Sequence, residues 1–382
     1  MKKTKFEKGI TLIALIITIV VLLILAVVTI GAVQDSGIIG HAQNAASGYN
    51  DEKSKEESAI SGYESLIDSK LPGGSNDPNT SVPATTIAEA QLDSMLTKTV
   101  NSEITDAYSN KIVVPSGFKI LVDDTTGYTS NNIDVTKGIV VQDAEGNEFV
   151  WIPVGENITN GTKTKTIKLS RYTFDLTTGK ATDVGDAVIA ANATQELATS
   201  NYGNATAKNL TGFQSSAKIN KGYYIARYEA GKENNTLVCK VNKTVYAGIS
   251  QPTASSLSQD MYKDATTYTS DLINSYAWDT AIVFIQAFGT ESDASKYSIL
   301  NKSTSFKKTG ANSDKYCNIY DMSGNAAEWS TETCISSIAG VLRSGFYNIP
   351  YGPAKNYTSN RMTASETNKD SNYSFRPLLY VI

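Results

Sequence analysis

Histidine is almost missing from this chain. Its 382 residues contain one, His41, so no histidine cluster exists for zinc, copper or non-haem iron. A Cys-His or Ser-His-Asp catalytic group would have to use that single residue, close to the N-terminal apolar run. Cysteine is scarce too: Cys239, Cys317 and Cys334 are an odd number and cannot all pair within one chain. Cys317 and Cys334 are near enough in sequence either to form a disulfide across a compact loop or to stand as two buried thiols. Charge is thin as well, at 19% of residues with a formal net charge of -4. Such a chain has no basic field to attract nucleic acid.

What the chain has instead is tyrosine, 21 residues of it, with Asn, Thr and Ser throughout, which makes a polar but weakly charged surface. It also has one long uncharged run. Lys2, Lys3, Lys5 and Lys8 lead into Gly9, and residues 10–33 read ITLIALIITIVVLLILAVVTIGAV. As a helix this run spans roughly 36 Å, enough to cross a bilayer core of about 30 Å with some tilt. The lysines favour a cytoplasmic start and an exported C-terminal body.

The run is longer than the apolar core of a signal peptide, and its break lies at the other end, where Lys8-Gly9 meets Ile10-Thr11-Leu12-Ile13. This segment resembles the N-terminus of a type IV prepilin or pseudopilin. The resemblance implies cleavage after Gly9 by a prepilin peptidase and N-terminal methylation of Ile10. It further implies an apolar helix that sits first in the membrane and then in a filament core beside other pilus or pseudopilus subunits. The pattern departs at Ala14, where the family usually carries the glutamate that helps register subunits. That departure bears on assembly more than on processing. An ordinary membrane anchor explains the length and the lysines but does not require Gly9 at that place.

Residues 34–70 read as a helical extension, with Ala42, Ala45, Ala46 and Tyr49, then Ile60, Tyr63 and Ile67, at helical spacing. A flexible stalk over 34–55 fits equally. Residues 71–111 read as linker or spacer, opening on LPGGSNDPNTSVP and holding a short helix near Thr86 to Met95. From 112 to 382 the pattern is that of an α+β outer domain. Ile139–Val141 and Phe149–Val154 flank a turn at Ala144–Asn147, Tyr223–Glu229 is a strand candidate, and 159–210 reads as an insertion at the domain edge. Ser275 is placed to cap a helix whose Trp278, Ala281, Ile282, Ile285 and Phe288 share one face, with Asp279 in its first turn.

The most specific internal string is Ile319–Ser330, IYDMSGNAAEWS. Gly324 permits a tight backbone path, and Trp329 is a core anchor whose indole N–H needs a partner. The string either builds a loop and fills a core, or its Asn325 and Glu328 oxygens serve as candidate ligands of a structural calcium ion.

With Phe149–Val154, Gly222–Glu229, Trp278–Ala281, Asp321–Trp329, Val341–Gly345 and Tyr373–Arg376 in view, residues 149–376 resemble the formylglycine-generating enzyme, or sulfatase-modifying factor, family. Its fold is related to the C-type lectin fold. The chain departs at Ala327, at Ser344 and at Ser374, the last two standing where glycine is usual. The oxidising members hold copper through two cysteines near the C-terminus, and this chain has no cysteine after Arg343. Sulfoxide-forming branches use histidines, which this domain lacks. The resemblance therefore implies a scaffold for recognition with no redox cofactor. Phe346, Tyr347, Tyr351, Tyr357 and Tyr373, among Asn348, Asn356 and Asn360, form either an exposed binding surface or core filling with turn asparagines. Arg343 and Arg376 suit buried networks.

The expected job is noncatalytic: a surface-exposed, pilin-like protein presenting a binding or adhesion domain to a surface glycan or protein. It would sit in the cytoplasmic membrane with the domain exported, or in a surface filament after processing. A purely structural pilus subunit is the alternative, and an exported modifying enzyme a third.

Overall fold

The computed structural model describes residues 89–382 apart from 124, 127–131, 191–192, 200–202, 290–304, 312–314 and 348–356. The leader, Gly9, Ile10, the apolar run, the helical extension and Tyr351 lie outside the described residues. So does the first part of the linker. Among the described residues no helix is long and apolar enough to cross a membrane.

Three sequence stretches, EFVWIP, GYYIA and PLLYV, are apolar apart from Glu148 at the start of the first, and form strands buried at every position: Glu148–Pro153, Gly222–Ala226 and Pro377–Val381. Continuous burial means that both sheet faces are covered. They are central strands of an antiparallel six-stranded sheet in the order Tyr268–Leu272, Pro377–Val381, Gly222–Ala226, Glu148–Pro153, Val140–Asp143, Phe118–Ile120. The expected hairpin around Ala144–Asn147 is the turn between two of them.

Among the described residues four helices accompany the strands: α1 (Glu89–Ser94), α2 (Leu210–Ile219), α3 (Gln251–Asp260) and α4 (Ser275–Phe288). Alternation along Gly222–Ala226 assigns the two faces. Tyr223 meets Phe213 of α2 edge to face at 5.2 Å and donates its hydroxyl to Ala277 O of α4 at 2.6 Å. Tyr224 points the other way, stacks near Trp151 at 4.9 Å and donates to Val113 O at 2.8 Å. Val113 belongs to Lys111–Val114, which pairs with Ser102–Thr105. The body thus takes in residues before 112, a stretch assigned to spacer by its polar sequence. Gly222 is required by close approach: a Cβ there would meet the Trp151 ring at 2.3 Å.

The second sheet is more polar. Ala327–Cys334 lies between Thr194–Gln195 and Ala339–Arg343, followed by Arg361–Ala364, with Tyr373–Phe375 parallel to Ala327–Cys334. Its small core holds Trp329, Leu342 and Phe375 against Leu272, and the Trp329 indole donates to Ile249 O at 2.7 Å. A third sheet has the order Thr236–Val238, Gly231–Glu233, Thr244–Val245. The result is an α+β body, mostly strands and loops.

Two expectations shift on inspection. Helix α4 is capped one residue earlier than expected, by Asn274, whose side chain accepts from Ala277 N at 2.9 Å. Ser275 is the first helical residue, and both its N–H and its hydroxyl donate to Glu196 at 2.7 Å, so its oxygen is not the cap. No disulfide joins Cys317 to Cys334; all three cysteines are buried thiols.

Candidate functional site

The string around Gly324 is a loop held in an unusual backbone conformation. Cys317, Asn318, Asp321 and Asn325 all have positive φ, between 47° and 61°, and Gly324 has φ 81°. Asn and Asp tolerate this region better than most residues, which accounts for three of the four non-glycine positions. Asn318 secures the loop to the first sheet's neighbourhood: its Nδ2 donates to Thr126 O, Lys137 O and Gly138 O at 2.9–3.1 Å. Arg227 donates to Asn318 O and, at 2.7 Å, to Glu148. Gly138 has φ 79°, and a Cβ there would stand 1.8 Å from Cys317 O. Any side chain at 138 displaces the loop.

Asn325 ties two segments together. Its Oδ1 accepts from Lys307 N at 2.8 Å, its Nδ2 donates to Lys307 O at 3.2 Å and also to Glu229, and its own carbonyl accepts from Tyr347 N at 3.1 Å. One residue before Lys307 is Phe306, 36% exposed, whose ring lies 5.5 Å from that of half-buried Tyr347 at an interplanar angle of 41°. Exposed Lys307 and Lys308 follow it. Phe306 was missed by sequence reasoning, since no local pattern distinguishes it in KSTSFKK.

The segment 344–360 carries most of the expected binding residues, and its two ends are pinned together. Arg343 and Arg361 face each other across paired strands. Both reach the same carboxylates, Glu332 and Asp279. Arg171 joins at Glu332, 2.7 Å away. Burial acts to raise the Glu332 carboxyl, but Arg361, Arg343 and Arg171 more than offset it and hold it down at about 2. Asn360 Nδ2 donates to Ser344 O at 2.9 Å, and the Trp278 indole donates to Thr358 O at 2.9 Å. Asp279 is therefore a wholly buried anchor of this base, beyond the first-turn role its position suggested.

The expected surface residues divide. Phe346 is half-buried and packs on the second core, Tyr347 belongs to the aromatic pair, and Tyr357 is half-buried. Tyr373 is corrected to the core: at 9% exposure it stacks edge to face on Trp329 at 5.4 Å, because its strand lies parallel against Ala327–Cys334.

The two candidate calcium ligands lie in one buried cluster, each engaged by protein groups. Glu328 takes Arg376 bidentately, Nε at 3.0 Å and Nη2 at 2.7 Å, and Arg376 also donates to Ala226 O and Tyr320 O at 2.9 Å. Burial works against the Arg376 charge, yet the facing Glu328 holds its guanidinium above its ordinary value. Arg376 thus joins both sheets and the Gly324 loop at the point where the chain crosses between sheets. Glu229, beside Asp321 and Glu328, is pushed well up by burial and by those acids. Among the described residues, no group of three or more His, Cys, Asp or Glu side chains is arranged to hold a metal ion.

Ser344 stands in a backbone conformation that glycine adopts freely. Its φ is 66°, the region that favours glycine, and its Oγ accepts from Gly324 N at 2.9 Å. The hydroxyl partly offsets a conformation that costs about 1–2 kcal/mol for a residue with a Cβ.

No family model matches the chain, and no curated protein matches it. Among solved structures it is similar to PvdO from Pseudomonas aeruginosa, with 11% identity over 63% of this chain and 97% of that one, at a TM-score of 0.33. It is also similar to Treponema denticola variable protein 1, with 13% identity over 73% and 98% of the two chains, at a TM-score of 0.24. Likenesses this distant carry no inference about function.

Proposed function

We propose that this chain is a noncatalytic, surface-exposed recognition protein. Residues 10–33 are its pilin-like membrane or filament segment, processed after Gly9 by a prepilin peptidase. Its body is a degenerate sulfatase-modifying-factor-like, lectin-related module that binds a surface glycan or protein. The observation that supports recognition best is the Phe306–Tyr347 ring pair, presented at the surface by segments that Asn325 clamps together. Aromatic rings fixed before contact lose little entropy on binding, and each supplies contact area for a sugar face or a protein side chain. The ion network at Arg343 and Arg361 supports the same reading, since it fixes the two ends of a segment whose sequence is rich in Tyr and Asn. Calcium at Asn325 and Glu328 is not part of the proposal, because Lys307 and Arg376 already occupy their oxygens.

The test is binding of the full-length protein to arrays of surface glycans and surface proteins, with Phe306→Ala and Tyr347→Ala beside it. Each substitution should weaken the strongest interaction at least tenfold while leaving the urea midpoint unchanged. Unaltered binding by both variants overturns the aromatic site. Intact-mass analysis from native membranes tests the anchor: a chain starting at Met1 overturns the pilin-like processing.

A further inference from the structure

A concavity of about 630 Å³ is lined by none of the residues of the aromatic site. It lies between strand Thr236–Val238, the end of α3 and the turn after Val140–Asp143. Its volume is in the range of ordinary ligand sites. Leu257 and Met261, both half-buried, supply an apolar wall.

The polar lining is unbalanced. Asp143, Glu145, Glu233 and Asp260 line it against one cation, Lys240. Lys240 is already 3.5 Å from Glu233, whose other oxygen holds Lys243 at 2.6 Å. Asp143 is buried, yet its oxygens accept only from neutral donors: Asn147 N at 2.7 Å, Asn147 Nδ2 at 2.8 Å and Tyr262 OH at 2.7 Å. Among the described residues no lysine or arginine pairs with Asp143, Glu145 or Asp260. Three carboxylates beside an apolar wall complement a cation on an apolar stem, the form of a lysine or arginine side chain.

The backbone favours a peptide over a free amine. Thr236–Val238 is the outer strand of its sheet and pairs only with Gly231–Glu233 among the described strands. All three of its residues line the cavity. An open strand edge accepts an extended segment through main-chain hydrogen bonds, with alternate side chains entering the neighbouring pocket.

We propose that this cavity receives a lysine or arginine side chain from an extended peptide segment of another protein. The segment adds beside Thr236–Val238, its methylene stem lies on Leu257 and Met261, and its cation rests among Asp143, Glu145 and Asp260. This site is separate from the aromatic recognition surface and does not depend on it.

The experiment measures fluorescence polarisation of labelled seven-residue peptides on the full-length protein. The central residue is lysine, norleucine or glutamate, flanked by valines, and unlabelled cadaverine serves as a competing free diamine. The lysine peptide should bind at least tenfold more tightly than the norleucine peptide, and the glutamate peptide more weakly still. Glu145→Gln with Asp260→Asn, both at exposed positions, should weaken the lysine peptide at least tenfold, whereas Phe306→Ala should not. Equal binding of lysine and norleucine peptides, or binding of neither, overturns the proposal. Cadaverine competing as well as the unlabelled lysine peptide overturns its strand-addition part.

Discussion

The two large sheets are buried to a similar depth by opposite means. Gly222–Ala226 and Pro377–Val381 exclude water with apolar side chains on both faces. Ala327–Cys334, AEWSTETC, is equally buried, but Glu328, Ser330, Thr331, Glu332 and Thr333 go in with their hydrogen-bond and ionic partners. Apolar burial is non-directional and rewards area. Buried ion pairs are directional, and their attraction is largely offset by desolvation. The difference assigns the sheets distinct work: the first holds the body together, and the second fixes the chain at Ser344 and Asn360 and the Gly324 loop.

The comparison breaks most visibly at Glu332. Glu332→Ala removes the carboxylate that Arg171 pairs with, leaves Arg343 and Arg361 to share Asp279, and should cost about 3–5 kcal/mol by urea denaturation. A loss below about 1 kcal/mol would show the network to be slack.

The pH profile sharpens the contrast next, because two buried carboxyls packed with the polar sheet, Glu332 and Glu196, are shifted in opposite directions. The folded value of Glu332, about 2, lies below its ordinary 4.5. Its contribution is therefore full above about pH 4.5 and lost as the pH falls toward 2. Glu196 runs the other way. Burial raises it to about 7, despite donors from Thr331 and Ser275. The folded chain keeps a proton that the unfolded chain releases, so stability falls as pH rises from about 4.5 to about 7. Glu196→Gln should remove that decline and leave the variant roughly 3 kcal/mol less sensitive to pH between 4.5 and 8. Parallel curves for the two proteins would refute the burial argument.

A smaller effect is expected at Asn325. Asn325→Ala unpairs Lys307 and Glu229 and should cost about 1–3 kcal/mol. Amide exchange should accelerate around Lys307 and Tyr347 while the Gly222–Ala226 strand stays protected. Uniform acceleration through both sheets would mean that the two regions are one cooperative unit.

The smallest is Ser344→Gly. Relief at φ 66° and loss of the acceptor for Gly324 N oppose each other, so the net change should stay within about 1 kcal/mol. A larger loss would make the hydroxyl, rather than the backbone, the reason for serine there.

The elements read most directly were those with short periods. The helix of Trp278, Ala281, Ile282 and Ile285, the hairpin around Ala144–Asn147, and the strand at Tyr223 all follow local patterns of three, four or two residues. Arg343 and Arg376 were legible as network residues from their chemistry. Their partners were not, because Asp279, Glu328, Glu332 and Arg361 meet them through strand pairing and helix placement. Tyr373 misled for a related reason: a tyrosine among Asn and Ser reads as surface until a parallel strand lays it on Trp329.

By itself, then, the order of residues determined the α+β character, the apolar strands and α4, since hydrophobic period and turn chemistry act between near neighbours. The tertiary structure alone decided that Phe306 meets Tyr347, that one pair of carboxylates pins both ends of 344–360, and that an acidic concavity opens beside a strand edge. Those arrangements depend on which distant segments pack together, and contacts between distant segments leave no periodic mark in the chain.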